Sequence, residues 1–114
     1  MPEALAVVDL DANFFVDAND HALDLFSVRR EDLAKLDPGS INPPLTLHDT
    51  GAGEQVRAHI KRALNGELVR FEWPRRDAQG GDSLAEIRLL SLLDGQQRLL
   101  LATFTDISFR GAEQ

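Results

Sequence analysis

The 114-residue chain contains no cysteine and no tyrosine, and only one tryptophan and one methionine. Without cysteine there can be no disulfide, no thiolate zinc or iron–sulfur site, no thiol nucleophile and no cysteinyl photoadduct. Without tyrosine, one common acid–base group is missing. Positive charge is also scarce: 12 Lys and Arg stand against 19 Asp and Glu, a formal charge of −7. Nucleic-acid binding draws on the opposite sign, so no DNA or RNA partner is expected. The basic pairs Arg29-Arg30, Lys61-Arg62 and Arg75-Arg76 lie among carboxylates and read as solvated surface. No apolar run approaches the roughly 18 residues of a membrane helix. The start, Met1-Pro2-Glu3-Ala4-Leu5, lacks the basic and long apolar regions of a signal peptide. No membrane insertion and a cytoplasmic location are therefore the expectation.

What is present is 43% hydrophobic and 27% charged residues, enough for one core and not two, so residues 1–114 read as a single domain. Ala4–Leu10 and Phe14–Val16, broken by Asp11-Ala12-Asn13, predict two strands around a tight turn in which Asn13 is the residue that best tolerates a positive φ. Asn19-Asp20 caps a short helix with Ala22, Leu25 and Phe26 on one face. A second helical piece over 30–36 stops at Asp37-Pro38-Gly39. Residues 41–53, with Pro43-Pro44, read as a loop holding at most one helical turn.

The clearest helix is Glu54–Asn65, where Val56, Ile60, Ala63 and Leu64 form one stripe and Asn65-Gly66 ends it. Beyond Gly66 the pattern is strand. Val69, Phe71 and Trp73 alternate with Arg70, Glu72 and Pro74; a turn spans 77–82; Leu84–Leu93 and Arg98–Ile107 are joined by Asp94-Gly95. The order ββ-ααα(α)-βββ predicts the α+β class, an antiparallel sheet with helices on one face.

The chemistry-bearing motifs are weak. Asp9-x-Asp11-x-Asn13 opens like a calcium loop, but Phe14 stands where such a loop needs glycine, so it reads as a hairpin turn. His21, His48 and His59 share no metal-binding spacing. His59 borders the apolar stripe of the long helix, where it could serve as a lone haem ligand or a helix-edge residue. The carboxylates Asp9, Asp17, Glu72, Glu86 and Asp106 lie on strands or strand ends and are expected to face solvent. No phosphate-binding glycine loop or nucleophile elbow is present.

In combination the elements resemble a PAS domain over about residues 4–110. The matching pieces are Asp9-Leu10-Asp11-Ala12-Asn13, Asp17-Ala18-Asn19, Arg30-Glu31-Asp32-Leu33, Ala63-Leu64-Asn65-Gly66-Glu67 with Phe71-Glu72-Trp73, and Asp106-Ile107-Ser108 with Arg110. Pro43-Pro44 with Phe71-Glu72-Trp73 is similar to PAS domains that precede diguanylate cyclase and histidine kinase modules of two-component and cyclic-dinucleotide signalling. Ala12, where the family commonly has glycine, and Gln79-Gly80, where it has Asp-Gly, depart from the pattern at turns. The resemblance implies a five-stranded antiparallel sheet, a pocket between sheet and helices, and a signal relayed through the last strand to an effector. No cofactor is expected. The family's photoactive flavin branch needs a cysteine, and its haem histidine falls around Gln55 or Val56, out of register with His59.

The chain is thus expected to be a non-enzymatic sensory module that binds a small molecule or a partner protein, any catalysis lying in an effector outside this chain. The candidate pocket lining is Phe26, Ile41, Val56, Ile60, Leu64, Phe71, Trp73, Ile87 and Leu89. With no arginine placed on the inward stripe, an apolar or aromatic ligand is expected before an anion. Asp106, Ile107, Ser108 and Arg110 are the candidate output residues, with Asp106 and Arg110 at i, i+4 spacing for an ion pair. Leu84, Leu90, Leu92, Leu100 and Phe104 are placed on the strand face opposite Ile87, Leu89 and Leu101, as the surface of a homodimer. The alternative is a small α+β cone enzyme resembling ketosteroid isomerase, acting on an apolar substrate; its order begins with a helix.

Overall fold

Five segments with period-two apolar patterning become strands: β1 (Ala4–Asp9), β2 (Phe14–Ala18), β3 (Val69–Arg76), β4 (Asp82–Asp94) and β5 (Gln97–Asp106). The computed structural model describes residues 3–48, 53–76, 81–94 and 96–107. All neighbouring strands are antiparallel, in the order β2-β1-β5-β4-β3. The two last strands in sequence and the first thus share the middle of the sheet. Between β2 and β3 the chain forms α1 (Asp20–Phe26), two short 3-10 segments (Arg30–Lys35 and Pro38–Ser40) and α2 (Glu54–Leu64). All the described helical pieces lie between β2 and β3, an order unlike that of the helix-first cone enzyme.

Local chemistry sets each boundary. Asn13 turns the chain at φ 61°, and the Asp9 carboxylate accepts the N–H groups of Asp11 (3.0 Å) and Ala12 (2.9 Å). Arg98 at the start of β5 closes the same turn by donating to Asp11 at 2.6 Å. That hydrogen bond holds the Asp11 carboxyl below the usual carboxylate range. Asn19 is the N-cap of α1, as expected, accepting from Ala22 N–H at 2.9 Å. Its amide also ties both ends of the junction, accepting from Leu5 N–H and donating to the Glu3 carbonyl. Gly66, at φ 95°, turns the chain after α2 where a side chain would be strained.

The core lies between the sheet and one helical layer. Ala4, Ala6 and Val8 of β1, Leu100, Ala102 and Phe104 of β5, Ala85, Ile87 and Leu89 of β4, and Val69 of β3 are buried against Val56, Ile60 and Ala63 of α2 and Ala22 and Leu23 of α1. Leu33 and Leu45 complete it.

Three expectations need correction. Leu100 and Phe104 share the inner face with Ile87 and Leu89, while Leu101 pairs with Leu90 on the outer face. The four-residue run Leu99-Leu100-Leu101-Ala102 has no alternation, so its parity is set by pairing with β1 and β4 and not by pattern. Asp9 and Glu86 are buried, whereas Asp17, Glu72 and Asp106 are exposed as expected. Asp9 is enclosed by the turn it organises. Glu86 sits on the outer face between two arginines, Arg70 and Arg88, each at 2.9 Å. Finally, β3 continues past Pro74, and its inner-face parity of Val69, Phe71 and Trp73 brings Arg75 onto the stripe expected to lack arginine.

Candidate functional site

The expected pocket residues do come together, in two grades. Val56, Ile60, Ile87 and Leu89 are fully enclosed at the centre of the core. Phe26, Ile41, Leu64, Phe71 and Trp73 are half-buried and packed against it as a rim. Close-packed interiors have no spare volume for a ligand, so the rim is where a small molecule could be admitted.

Aromatic contacts organise that rim into two ends. At one end Phe26 of α1 packs on Phe15 of β2 (ring centroids 5.2 Å) and edge-on against Phe104 of β5 (5.9 Å). At the other end Phe71 of β3 meets Trp73 edge-on at 6.2 Å. The Trp73 indole N–H donates to Asn42 Oδ1 at 2.9 Å, which fixes the rim to the segment carrying Ile41. The half-buried indole thus has its acceptor, and Asn42 belongs to the site although no sequence pattern marks it.

His59, which the sequence offered as a lone haem ligand or a helix-edge residue, also joins the rim. Its imidazole lies flat on the Phe71 ring, 4.1 Å between centroids and 5° from parallel. Its Nδ1 is buried and has no hydrogen-bond partner. Burial, and then the Arg62 guanidinium, hold its pKa below the ordinary 6.5. A cation over an aromatic face gains about 0.5–1 kcal/mol at an exposed site, while an unsatisfied buried donor costs about 1–3 kcal/mol, so the neutral ring is the favoured partner for Phe71. The signal was readable in part: position 59 borders the stripe of Val56, Ile60 and Ala63, but the facing strand residue is set by tertiary packing.

The end of the sheet that carries the expected output residues is built from β3, β4 and β5. Asp106 is exposed and pairs across the sheet with Ala85; Ile107 is half-buried and donates its N–H to the Leu84 carbonyl at 2.9 Å. Ser108 and Arg110 lie outside the described residues. The charge of Asp106 bears on the Arg75 guanidinium. Burial draws the Arg75 pKa down and Asp106 opposes that, while one guanidinium nitrogen, Nη1, is buried without a hydrogen-bond partner.

The outer face of the sheet carries Leu5 and Val7 of β1, Leu84, Leu90 and Leu92 of β4, and Leu99 and Leu101 of β5, with Leu90 41% exposed. An open depression of about 250 Å³ lies there, lined by Leu5, Val7, Asp17, Ala18, Asn19 and Leu101. It is on the side away from the expected pocket. Thr103, also on this face, has a buried hydroxyl without a partner.

A family model described as "PAS fold" matches residues 1–111. Among solved structures, the chain is similar to a PAS domain from Colwellia psychrerythraea (TM-score 0.68, 19% identity, 95% of this chain and 88% of that one). It is also similar to a domain of a sensory box sensor histidine kinase/response regulator from Geobacter sulfurreducens (TM-score 0.61, 21% identity, 91% and 82%). A third likeness is to the LOV domain of a blue-light activated histidine kinase from Erythrobacter litoralis (TM-score 0.62, 16% identity, 95% and 98%). No curated protein matches the chain.

Proposed function

The chain belongs to the PAS fold family, and from that premise we propose that it is a non-enzymatic sensory module. A small apolar or aromatic molecule, or a partner protein, acts on the rim formed by Phe26, Ile41, Leu64, Phe71 and Trp73. The change passes through β5 to an effector. One observation carries this reading: β5 is the central strand that both walls the core and leads out of it. Phe104 touches the rim residue Phe26 at 5.9 Å and stands two residues before Asp106. A shift of Phe26 therefore has a two-residue path to the exit of the strand. The similar solved domains drawn from sensor histidine kinases support the signalling role by kinship of fold.

The fully enclosed centre argues that a ligand is small and enters at the rim without displacing Val56, Ile60, Ile87 or Leu89. Native mass spectrometry of the purified chain tests this. The expected result is a retained small molecule, lost when Leu64→Trp fills the rim. A chain that carries no adduct, and whose melting temperature no apolar compound raises, would overturn the ligand-binding reading.

A further inference from the structure

We propose that His59 and Phe71 form a proton-operated latch between α2 and the sheet: the neutral imidazole holds the helix against β3, and the imidazolium releases it. This goes beyond the sensory reading and does not depend on a ligand or an effector.

The geometry favours the neutral ring. A parallel stack at 4.1 Å buries one imidazole face and the Nδ1 edge together. Neutral imidazole can carry its single proton on Nε2 and leave Nδ1 as a bare lone pair. Protonation puts a second N–H on Nδ1, where no acceptor stands. The charges around it also disfavour the cation. On α2 itself Arg62 lies one turn further on and adds repulsion, held in place by Glu67 at 3.1 Å. From β3, the inner-face residues Val69, Phe71 and Trp73 are uncharged, and Arg75 beyond them is a further cation, paired electrostatically with Asp106. From β4, the facing residues Ala85, Ile87 and Leu89 are uncharged. Among the described residues nothing compensates an imidazolium at this contact.

The sign follows from linkage. The latched state binds the proton more weakly than the released state, so latching is fully present above about pH 6.5 and weakens as the pH falls below it. In that window the released population grows roughly tenfold per pH unit, until the latched state itself is protonated. Release uncovers Phe71 and frees the neighbouring Trp73, the sole tryptophan of the chain, which gives the latch its own optical reporter.

The test uses the full chain between pH 8 and 5. Histidine Cε1–H resonances give the His59 titration. Hydrogen exchange of the α2 amides, corrected for intrinsic rates, gives the released population, and Trp73 emission follows the rim. The proposal expects His59 to titrate below 6.5, α2 exchange to rise up to tenfold per pH unit, and Trp73 emission to shift to longer wavelength over the same range. In His59→Phe, which keeps a stacked ring but cannot take a proton, exchange and emission stay flat; His59→Gln serves the same purpose if the phenylalanine does not pack. Any response owed to the exposed His21 or His48 survives both substitutions. A His59 titration at 6.5 or above, or an undiminished acid response in the non-titrating variants, would overturn the latch.

Discussion

Single polar side chains, more than any helix, hold the two ends of the first hairpin in place. Asn19 makes three side-chain hydrogen bonds at once, to Leu5 N–H, Ala22 N–H and the Glu3 carbonyl. Losing an N-cap costs about 0.5–2 kcal/mol, and each further hydrogen bond about 1 kcal/mol. Asn19→Ala is therefore expected to destabilise the fold by about 2–3 kcal/mol in urea unfolding. Asn19→Asp, which keeps both accepted bonds and loses only the donated one, should lose about half as much. Asn13 offers a second test, because it combines φ 61° with an acceptor for the buried Thr46 hydroxyl at 3.0 Å. Asn13→Gly removes only the acceptor, whereas Asn13→Val adds a left-handed penalty of about 1–2 kcal/mol, so the valine variant should melt lower than the glycine. Both asparagines could be read in the sequence as cap and turn residues. Their second partners could not, since Leu5, Glu3 and Thr46 reach them only through the fold. The same holds for Asn42 and His59, whose roles rest on where Trp73 and Phe71 arrive.

At the scale of elements, pattern was informative wherever polar and apolar residues alternate. The parities of β3 and β4 follow from Val69, Phe71 and Trp73 and from Ile87 and Leu89, and α2 from its stripe. β5 was legible as a strand but not in its parity, because Leu99 to Ala102 are apolar throughout and only its two neighbours choose a face. The observed register makes a sharp distinction between adjacent leucines. Leu100→Ala empties a fully buried site and should cost about 2–5 kcal/mol, while Leu101→Ala on the half-covered outer face should cost well under half of that. Equal losses in thermal unfolding would contradict the register. The end of the same strand calls for a different readout. Asp106 is exposed, so its attraction to Arg75 adds little to stability, roughly 0–1 kcal/mol. Its proposed role is to set the direction in which the chain leaves β5, a bias on a two-state exit. Asp106→Ala should leave the melting temperature nearly unchanged while altering the activity of an effector fused after Ser108. Unfolding, or an unaltered effector, would count against that role.

For the molecule as a whole, the helices cover one face of the sheet and leave the other with Leu5, Val7, Leu90, Leu92, Leu99 and Leu101 as a continuous apolar band, Leu84 being set apart from it by Glu86 and Arg88. Its edge is charged: Arg70, Glu86 and Arg88 form a cluster in which the carboxylate is 8% exposed and both arginines are more than half exposed. An apolar centre with a charged border is the layout of an association surface, and we propose that two copies of the chain meet there. A stable homodimer buries about 1,200–2,000 Å² in total, a size a five-stranded sheet face can supply. The corrected parity of β5 matters here, since Leu101 and Leu99 take the places expected for Leu100 and Phe104. Electrostatics then dictates how the dimer responds to salt. Each copy carries a formal charge of −7, so approach is opposed by long-range repulsion, which salt screens over about 10 Å at 0.1 M. Apolar contact is not weakened by the same salt. Sedimentation equilibrium at tens of micromolar should therefore show a dimer that tightens between 50 and 300 mM NaCl. Leu90→Glu, which places a carboxylate at the exposed centre of the band and leaves the buried core alone, should give a monomer of unchanged melting temperature at low protein concentration. If the band instead covers itself only with a partner protein, the unsubstituted chain will sediment as a monomer at every salt concentration, and the homodimer is wrong.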